Sequence, residues 1–440
     1  MKADAAPRAS RRVFLGLSDI CGYYSQLERG LIANGVECTL VNAFPSGGNY
    51  NRETRPDLGG RIVEWLGKQR AALPRGGIRR LGWKLTQAVA LLLYLLGTLP
   101  RYSVYVFASG ESFLMGADLP LLRLFRKRII VVFHGSDSRP PYINAAVTGT
   151  EGPVDANALA GATRRTKARV RRIERSAQVM IDHTLSGHFH ERAFINWFQI
   201  GIPYEKSLAV APEAVSRGKD EPYRIAHAPT RPGPKGTAAI ERAVANLQNR
   251  GFRVELTKIV GRPNREVLEA IAASDFVVDE LYSDSPMASF ATEAAVLGKP
   301  SIVGMYGFEK LQSYCPASTI PPSYLCHAES VEKAIETLLT DEGLRRDLAQ
   351  RARHFVETHW SPVEVGRRFR RLIEDDIPPE WWFEPGRIDY LHGWGLTEER
   401  LRFVVGKLVE AGGVSALQLG DKPALERAFL NLIATGSADA

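Results

Sequence analysis

The chain has 440 residues, of which 45% are hydrophobic and 24% charged, an ordinary soluble composition with length for two or three cores. The formal net charge of +8 favours an anionic partner such as a nucleotide, phospholipid or nucleic acid. Four scattered cysteines exclude a disulfide framework and a CxxC zinc site, and the polar first dozen residues lack the apolar run of a secretory signal. A reducing cytoplasm is the expected location.

In chain order, short apolar runs that end in polar or glycine turns predict strands over 12–17, 36–41, 104–108, 129–133 and 179–181. Uninterrupted apolar runs of this length suit a parallel sheet covered on both faces. Tyr23, Leu27 and Leu31 share one helix face, closed by Gly35, so the first 41 residues read as a βαβ unit. The stretch 88–99, AVALLLYLLGTL, is about a dozen residues, short of the ~20 a spanning helix needs. It reads as a buried core helix, with a membrane-facing helix as the alternative.

The pattern restarts with strands over 223–226, 252–256, 276–278 and 301–303. Between them lie helices through Ile240, Val244 and Leu247, over 267–273 and over 288–297, followed by an amphipathic helix from Val331 to Leu339. Two α/β halves result, 1–205 and 206–375, joined in the polar, proline-bearing stretch 201–219. Residues 376–440 form a small tail with helices near 398–410 and 423–433, and its role is not legible.

Three stretches carry chemistry. HAPTRPGPKGT, residues 227–237, is a stiff basic turn between a strand and a helix. Glycine allows close approach to a ligand, the helix start offers free N–H groups, Arg231 and Lys235 add charge, and Thr237 can cap the helix. A solvated basic loop is the alternative. Residues 274–304 read as strand, polar loop, helix, Gly-Lys-Pro and strand, placing the loop where open α/β sheets bind ligands. Glu293 in that helix can accept hydrogen bonds from ribose hydroxyls or simply favour the helix dipole. In IIVVFHGSDSR, residues 129–139, His134 sits at the lip of a strand, where it can position a sugar hydroxyl or a proton. A structural histidine is the alternative. The first βα turn, from Gly16 to Gly22, is a weak phosphate loop lacking GxGxxG, and no Walker A, HExxH or GxSxG signature occurs.

Taken together, these stretches resemble a GT-B glycosyltransferase of the Glu-x7-Glu type (glycosyl transferases group 1), over roughly residues 13–373. The resemblance implies two Rossmann-like domains facing across a cleft, here followed by a C-terminal helical extension. The N-terminal domain would bind the acceptor and the C-terminal domain the nucleotide-sugar. It implies that Arg231 and Lys235 bind the donor diphosphate, Glu293 the ribose and His134 the transferring sugar, while Gly16 and Gly22 approach the diphosphate. Where the family has its first glutamate this chain has Ser285, with Asp284 and Glu280 as candidate substitutes.

The implied reaction moves a sugar from a nucleotide-sugar to a glycan or lipid-linked acceptor, as in polysaccharide biosynthesis, with retention a possible stereochemistry. His134, Arg231 and Lys235 would be catalytic; Gly16, Gly22, Asp284, Ser285 and Glu293 would join Arg231 and Lys235 in donor binding. No metal or other cofactor is expected. The alternatives are a nucleotide-sugar 2-epimerase of the same fold or a nucleotide-binding partner subunit without catalysis, the latter favoured by Ser285. Residues 163–175 hold seven Arg or Lys in thirteen positions, either a solvated helix face or a contact with an anionic membrane at the inner face. Without interleaved aromatics they do not suit a nucleic acid.

Overall fold

The computed structural model describes residues 11–45, 53–74, 78–204 and 221–435. Most of the predicted joint at 201–219 therefore lies outside the described residues.

Among the described residues twelve strands form two sheets. The first contains β1 (Val13–Leu17), β2 (Cys38–Asn42), β3 (Val104–Ala108), β4 (Arg128–Val132), β5 (Val179–Asp182) and β6 (Phe194–Asn196). The second contains β7 (Tyr223–His227), β8 (Val254–Lys258), β9 (Phe276–Val278), β10 (Ser301–Gly304) and β11 (Tyr324–Cys326). A last strand, β12 (Trp382–Phe383), returns to the first sheet. The strand orders are β12-β6-β5-β4-β3-β1-β2 and β11-β10-β9-β7-β8. Every pairing is parallel except β12 with β6. Strands β1, β3 and β5 are buried along their whole length, which is why they read as unbroken apolar runs.

The short strands β6, β11 and β12 escape the sequence reading. Of the helices longer than ten residues, three escape it as well: Leu58–Ala71, Glu342–His359 and Pro362–Glu374.

The chain beyond the second sheet folds back on the first half. Helix Pro362–Glu374 packs on helix Tyr23–Ala33, where a Cβ on Gly30 would lie 1.8 Å from the Pro362 carbonyl oxygen. Helices Glu398–Gly412 and Pro423–Thr435 bury Leu401, Val404 and Phe429 in the same core as Phe14 and Tyr142. This extension has no separate core because its apolar faces complete that of the first domain.

The expected core helix at 88–99 is corrected. It belongs to a longer helix, Ile78–Thr98, that buries Leu91, Tyr94 and Leu95 while leaving Leu85, Leu92 and Leu93 exposed. Only 28% of its apolar window Arg79–Thr98 is buried. Apolar residues occur all round the helix, and the sheet has room for one face.

The arginine-rich stretch lies on helix Ala156–Glu174, capped by Asp155, whose side chain accepts from the Ala158 N–H at 2.9 Å. Lys167 on this helix is buried and paired with Asp421 of the extension at 2.8 Å. Arg164, Arg165, Arg171, Arg172 and Arg175 are exposed.

Candidate functional site

A cleft of about 560 Å³ is lined by loop and helix residues of both halves and by the extension. It opens where parallel strands end, the ligand position expected for open α/β sheets. Of the sequence candidates, Gly22, His134, Arg231, Asp284, Ser285 and Glu293 line it.

His134 lies two residues beyond β4. Burial, with neighbouring His183, pushes its imidazole down to about 3, so it is neutral. Its Nε2 is 3.2 Å from the Tyr24 hydroxyl, and Tyr23 and Trp197 face it edge-on. His183 follows β5, stacks on Trp197 at 5.0 Å, and is also held neutral by burial. Three buried atoms on this wall have no hydrogen-bond partner: His183 Nδ1, Tyr23 Oη and Gln26 Oε1. Buried polar atoms without partners are uncommon, and here three of them line the cleft.

Two helices begin at the cleft. Tyr23–Ala33 starts from Gly22, whose φ of 78° suits glycine, and Ser289–Val296 starts from Ala288. The start of Ser289–Val296 presents first-turn N–H groups and the positive end of a helix dipole, whereas at Tyr23–Ala33 the Tyr24 and Ser25 N–H groups donate to Asp19 Oδ1 at 2.9 and 3.3 Å and are already satisfied. Arg231 adds an exposed guanidinium with no ion-pair partner among the described residues. Together these groups suit a polyanion.

Lys235 lies behind this wall. Its ammonium is buried, 2.9 Å from Asp279 and 3.3 Å from Glu280. Burial alone would push it down, but Asp279 and then Glu280 outweigh burial and hold it above the usual lysine range. Burial raises Glu280 despite the neighbouring ammonium. Gly16 lies within β1 opposite Val41, outside the cleft lining. Thr237 does not cap its helix: Gly236 occupies that position, and the Thr237 hydroxyl is 2.9 Å from His227 Nε2.

Asp284 is tied to Arg139, whose Nε donates to Asp284 Oδ2 at 2.8 Å and whose Nη2 donates to the same oxygen. Both side chains are buried, and the pair joins the two halves. The Ser285 hydroxyl donates to the Met287 carbonyl at 3.3 Å. Glu293 accepts from Asn264 Nδ2 at 2.8 Å, and burial pushes its carboxyl up to about 7. Among the described residues no group of three His, Cys, Asp or Glu is placed to hold a metal.

The extension supplies a cleft residue the sequence reading missed. Trp394 donates through Nε1 to Glu280 Oε2 at 2.8 Å. Its backbone N–H donates to Ile143 and its carbonyl accepts from Ala145, both at 3.0 Å, while the Gly395 N–H donates to Tyr282 at 2.7 Å. The loop is wedged between the halves, and a Cβ on Gly393 would fall 2.1 Å from the Ile143 carbonyl oxygen. The Gly-Trp-Gly spacing was the available signal. Arg139 closes a stretch singled out in the sequence, and His183 follows a predicted strand; neither position alone named a partner.

No protein-family model matches the sequence, and no curated protein matches it either. Solved structures do match in fold. The catalytic domain of starch synthase IV from Arabidopsis thaliana, bound to ADP and acarbose, is 12% identical, covering 84% of this chain and 99% of its own, with a TM-score of 0.53. Anabaena HepE in complex with UDP-glucose is 12% identical over 83% of this chain and 99% of its own, at a TM-score of 0.48. The glycosyltransferase SnogD from Streptomyces nogalater is 17% identical over 83% of this chain and 100% of its own, at 0.39. The parallel sheets and the starch synthase likeness establish the GT-B fold: two Rossmann-like domains facing across a cleft, with a C-terminal helical extension.

Proposed function

We propose that the protein is a glycosyltransferase that moves a sugar from a nucleotide-sugar to an acceptor hydroxyl. The observation that carries this reading is the meeting, in one cleft, of an arginine with no ion-pair partner among the described residues and the uncapped helix start at Ser289 with a wall bearing unpartnered polar atoms. The first set suits a diphosphate and the second suits sugar hydroxyls.

In this reading the anomeric carbon–oxygen bond breaks, the bonding electrons leave with the nucleoside diphosphate, and the acceptor oxygen takes the anomeric carbon and gives up its proton. Arg231 and the N–H groups at the start of Ser289–Val296 stabilise the departing charge. Preorganised groups of this kind are usually the largest catalytic contribution. Glu293 accepts from the ribose hydroxyls. Neutral His134 orients a sugar hydroxyl without adding charge. Lys235 acts at one remove, by fixing Asp279 and Glu280 behind the site. No resident cofactor is needed for these steps, and a cytoplasmic location would supply the donor.

A second reading, a nucleotide-binding partner without turnover, is favoured by the Arg139–Asp284 pair. It removes the carboxylate nearest the position of Ser285 from contact with a sugar. The test is incubation with a panel of nucleotide-sugars, following thermal stability and release of nucleoside diphosphate. The transferase reading expects one donor to stabilise the fold and be slowly hydrolysed, with Arg231→Ala cutting release about 10²–10³-fold at unchanged stability. Stabilisation without release supports the partner reading, and absence of both removes the donor site.

A further inference from the structure

We propose that the helices Leu58–Ala71 and Ile78–Thr98 form a surface that lies on an anionic lipid bilayer, independently of the reaction in the cleft. On the first helix Leu58, Ile62 and Trp65 are exposed, at 66%, 46% and 54%. They recur at i, i+4 and i+7, one helix face. On the second helix Leu81, Leu85, Val89, Leu92, Leu93 and Leu96 are exposed, Leu93 at 64%. The two helices pack on each other, with Trp65 and Trp83 in edge contact at 5.6 Å. An apolar face this extensive is unusual on a protein meant to be surrounded only by water.

Charge selects the occupant. Between residues 58 and 98 the sequence has seven Lys or Arg and one acid, Glu64. Glu64 is buried and accepts from the Asn42 N–H at 2.7 Å, so it does not offset the surface charge. Arg61, Lys68, Arg79 and Lys84 are exposed. Apolar side chains, tryptophans and cations without exposed acids form the pattern of an interfacial helix on anionic lipid.

The longer helix rests on the surface and does not span. Its opposite face is held to the domain by Leu91, Tyr94 and Leu95 in the core. Gln87, fully buried, donates from Nε2 to the Ala43 carbonyl at 2.8 Å. Crossing the bilayer would expose these groups and unpack the first sheet. This placement differs from the arginine-rich helix expected from sequence, which offers charge but whose buried positions, such as Val170 and Ile173, all face the core.

The experiment is flotation of the whole protein with vesicles of phosphatidylglycerol and phosphatidylcholine, against phosphatidylcholine alone. Expected are binding to the anionic vesicles, weaker binding to neutral ones, and partial loss in 1 M salt, which screens the charges but spares apolar contact. The triple variant Leu85→Glu/Val89→Glu/Leu93→Glu should lose binding by about 100-fold or more, because carboxylates replace the inserted face. These side chains are exposed, so its thermal midpoint and circular dichroism should match the parent. The single variant Leu93→Glu serves the same purpose if the triple misfolds.

Absence of parent binding to anionic vesicles overturns the proposal. So does full binding by the folded triple variant, or loss of binding only on reversing Arg164, Arg165 and Arg172. A parent that is dimeric in sedimentation and becomes monomeric through Leu93→Glu, with no vesicle binding, assigns the face to a second copy and also overturns it.

Discussion

On the first-domain wall of the cleft, Tyr23, Gln26 and His183 hold buried polar atoms with no partners, whereas behind the second-domain wall Lys235 is ion-paired with Asp279 and Glu280, with Asp279 Oδ2 alone in that trio left without a hydrogen bond among the described residues. Asp284 is likewise committed to Arg139 across the gap. The difference separates two kinds of group. A buried hydrogen-bonding atom without a partner carries a desolvation cost that a hydroxyl-bearing ligand removes. A buried ion pair is already compensated and resists disruption, because removing one member leaves an uncompensated charge. The first wall is therefore suited to exchange partners with a ligand. The second provides a fixed frame from which Arg231 and the helix start at Ser289 reach a charged one.

The largest test of this contrast is Lys235→Ala. If the ammonium belongs to the frame, the variant loses about 3–5 kcal/mol of unfolding free energy in urea titration, through uncompensated Asp279 and Glu280. Adding Glu280→Gln should recover part of that loss. A drop in turnover at unchanged stability would instead mean that Lys235 leaves the pair to meet the ligand.

A middle-sized effect comes from Glu293, whose carboxyl is pushed up to about 7 by burial. The ionised form accepts ribose hydroxyls, so nucleotide affinity should rise with pH through that value, at most about tenfold per unit below it. The stability sign is opposite. A carboxyl raised above its usual 4.5 favours the fold when protonated, and that contribution fades as pH climbs from the usual value through about 7. Glu293→Gln should flatten both profiles in calorimetric titration and pH-dependent melting. A pH-independent parent would remove Glu293 from the nucleotide.

The smallest effect sharpens the comparison from the first wall. Tyr23→Phe deletes a hydroxyl that has no partner, so the unliganded protein should be as stable as the parent or slightly more so. Ligand affinity should fall by about 0.5–1.5 kcal/mol, the net contribution of one hydrogen bond. A destabilised free protein with unchanged affinity would show that the hydroxyl serves the fold.

The alternation of apolar runs and helical periods made β1 to β5, β7, β9 and β10 legible, because strands covered on both faces are largely apolar, while the half-exposed edge strand β8 was marked by its valine and leucine after a glycine turn. The residues that line the cleft were partly legible for a related reason. His134 follows a predicted strand, and Ser285 and Glu293 flank a helix start, so strand ends marked the ligand side. Arg231 and Lys235 looked alike in the sequence, four residues apart on one turn. Only the fold distinguishes them, by bringing Asp279 and Glu280 onto Lys235 and leaving Arg231 exposed.

The same limit separates the two apolar faces of Ile78–Thr98, since a residue's own hydrophobicity does not say whether a sheet or the outside will lie against it. Trp394 is the strongest case of the kind. Its partners, Glu280 and the backbone at Ile143 and Ala145, are more than a hundred residues away in the chain. The sequence by itself determined what each segment can become, because period and turn chemistry act over a few residues. The tertiary structure decided which charges are neutralised and which polar atoms are left to a ligand, because those depend on neighbours that local sequence does not record.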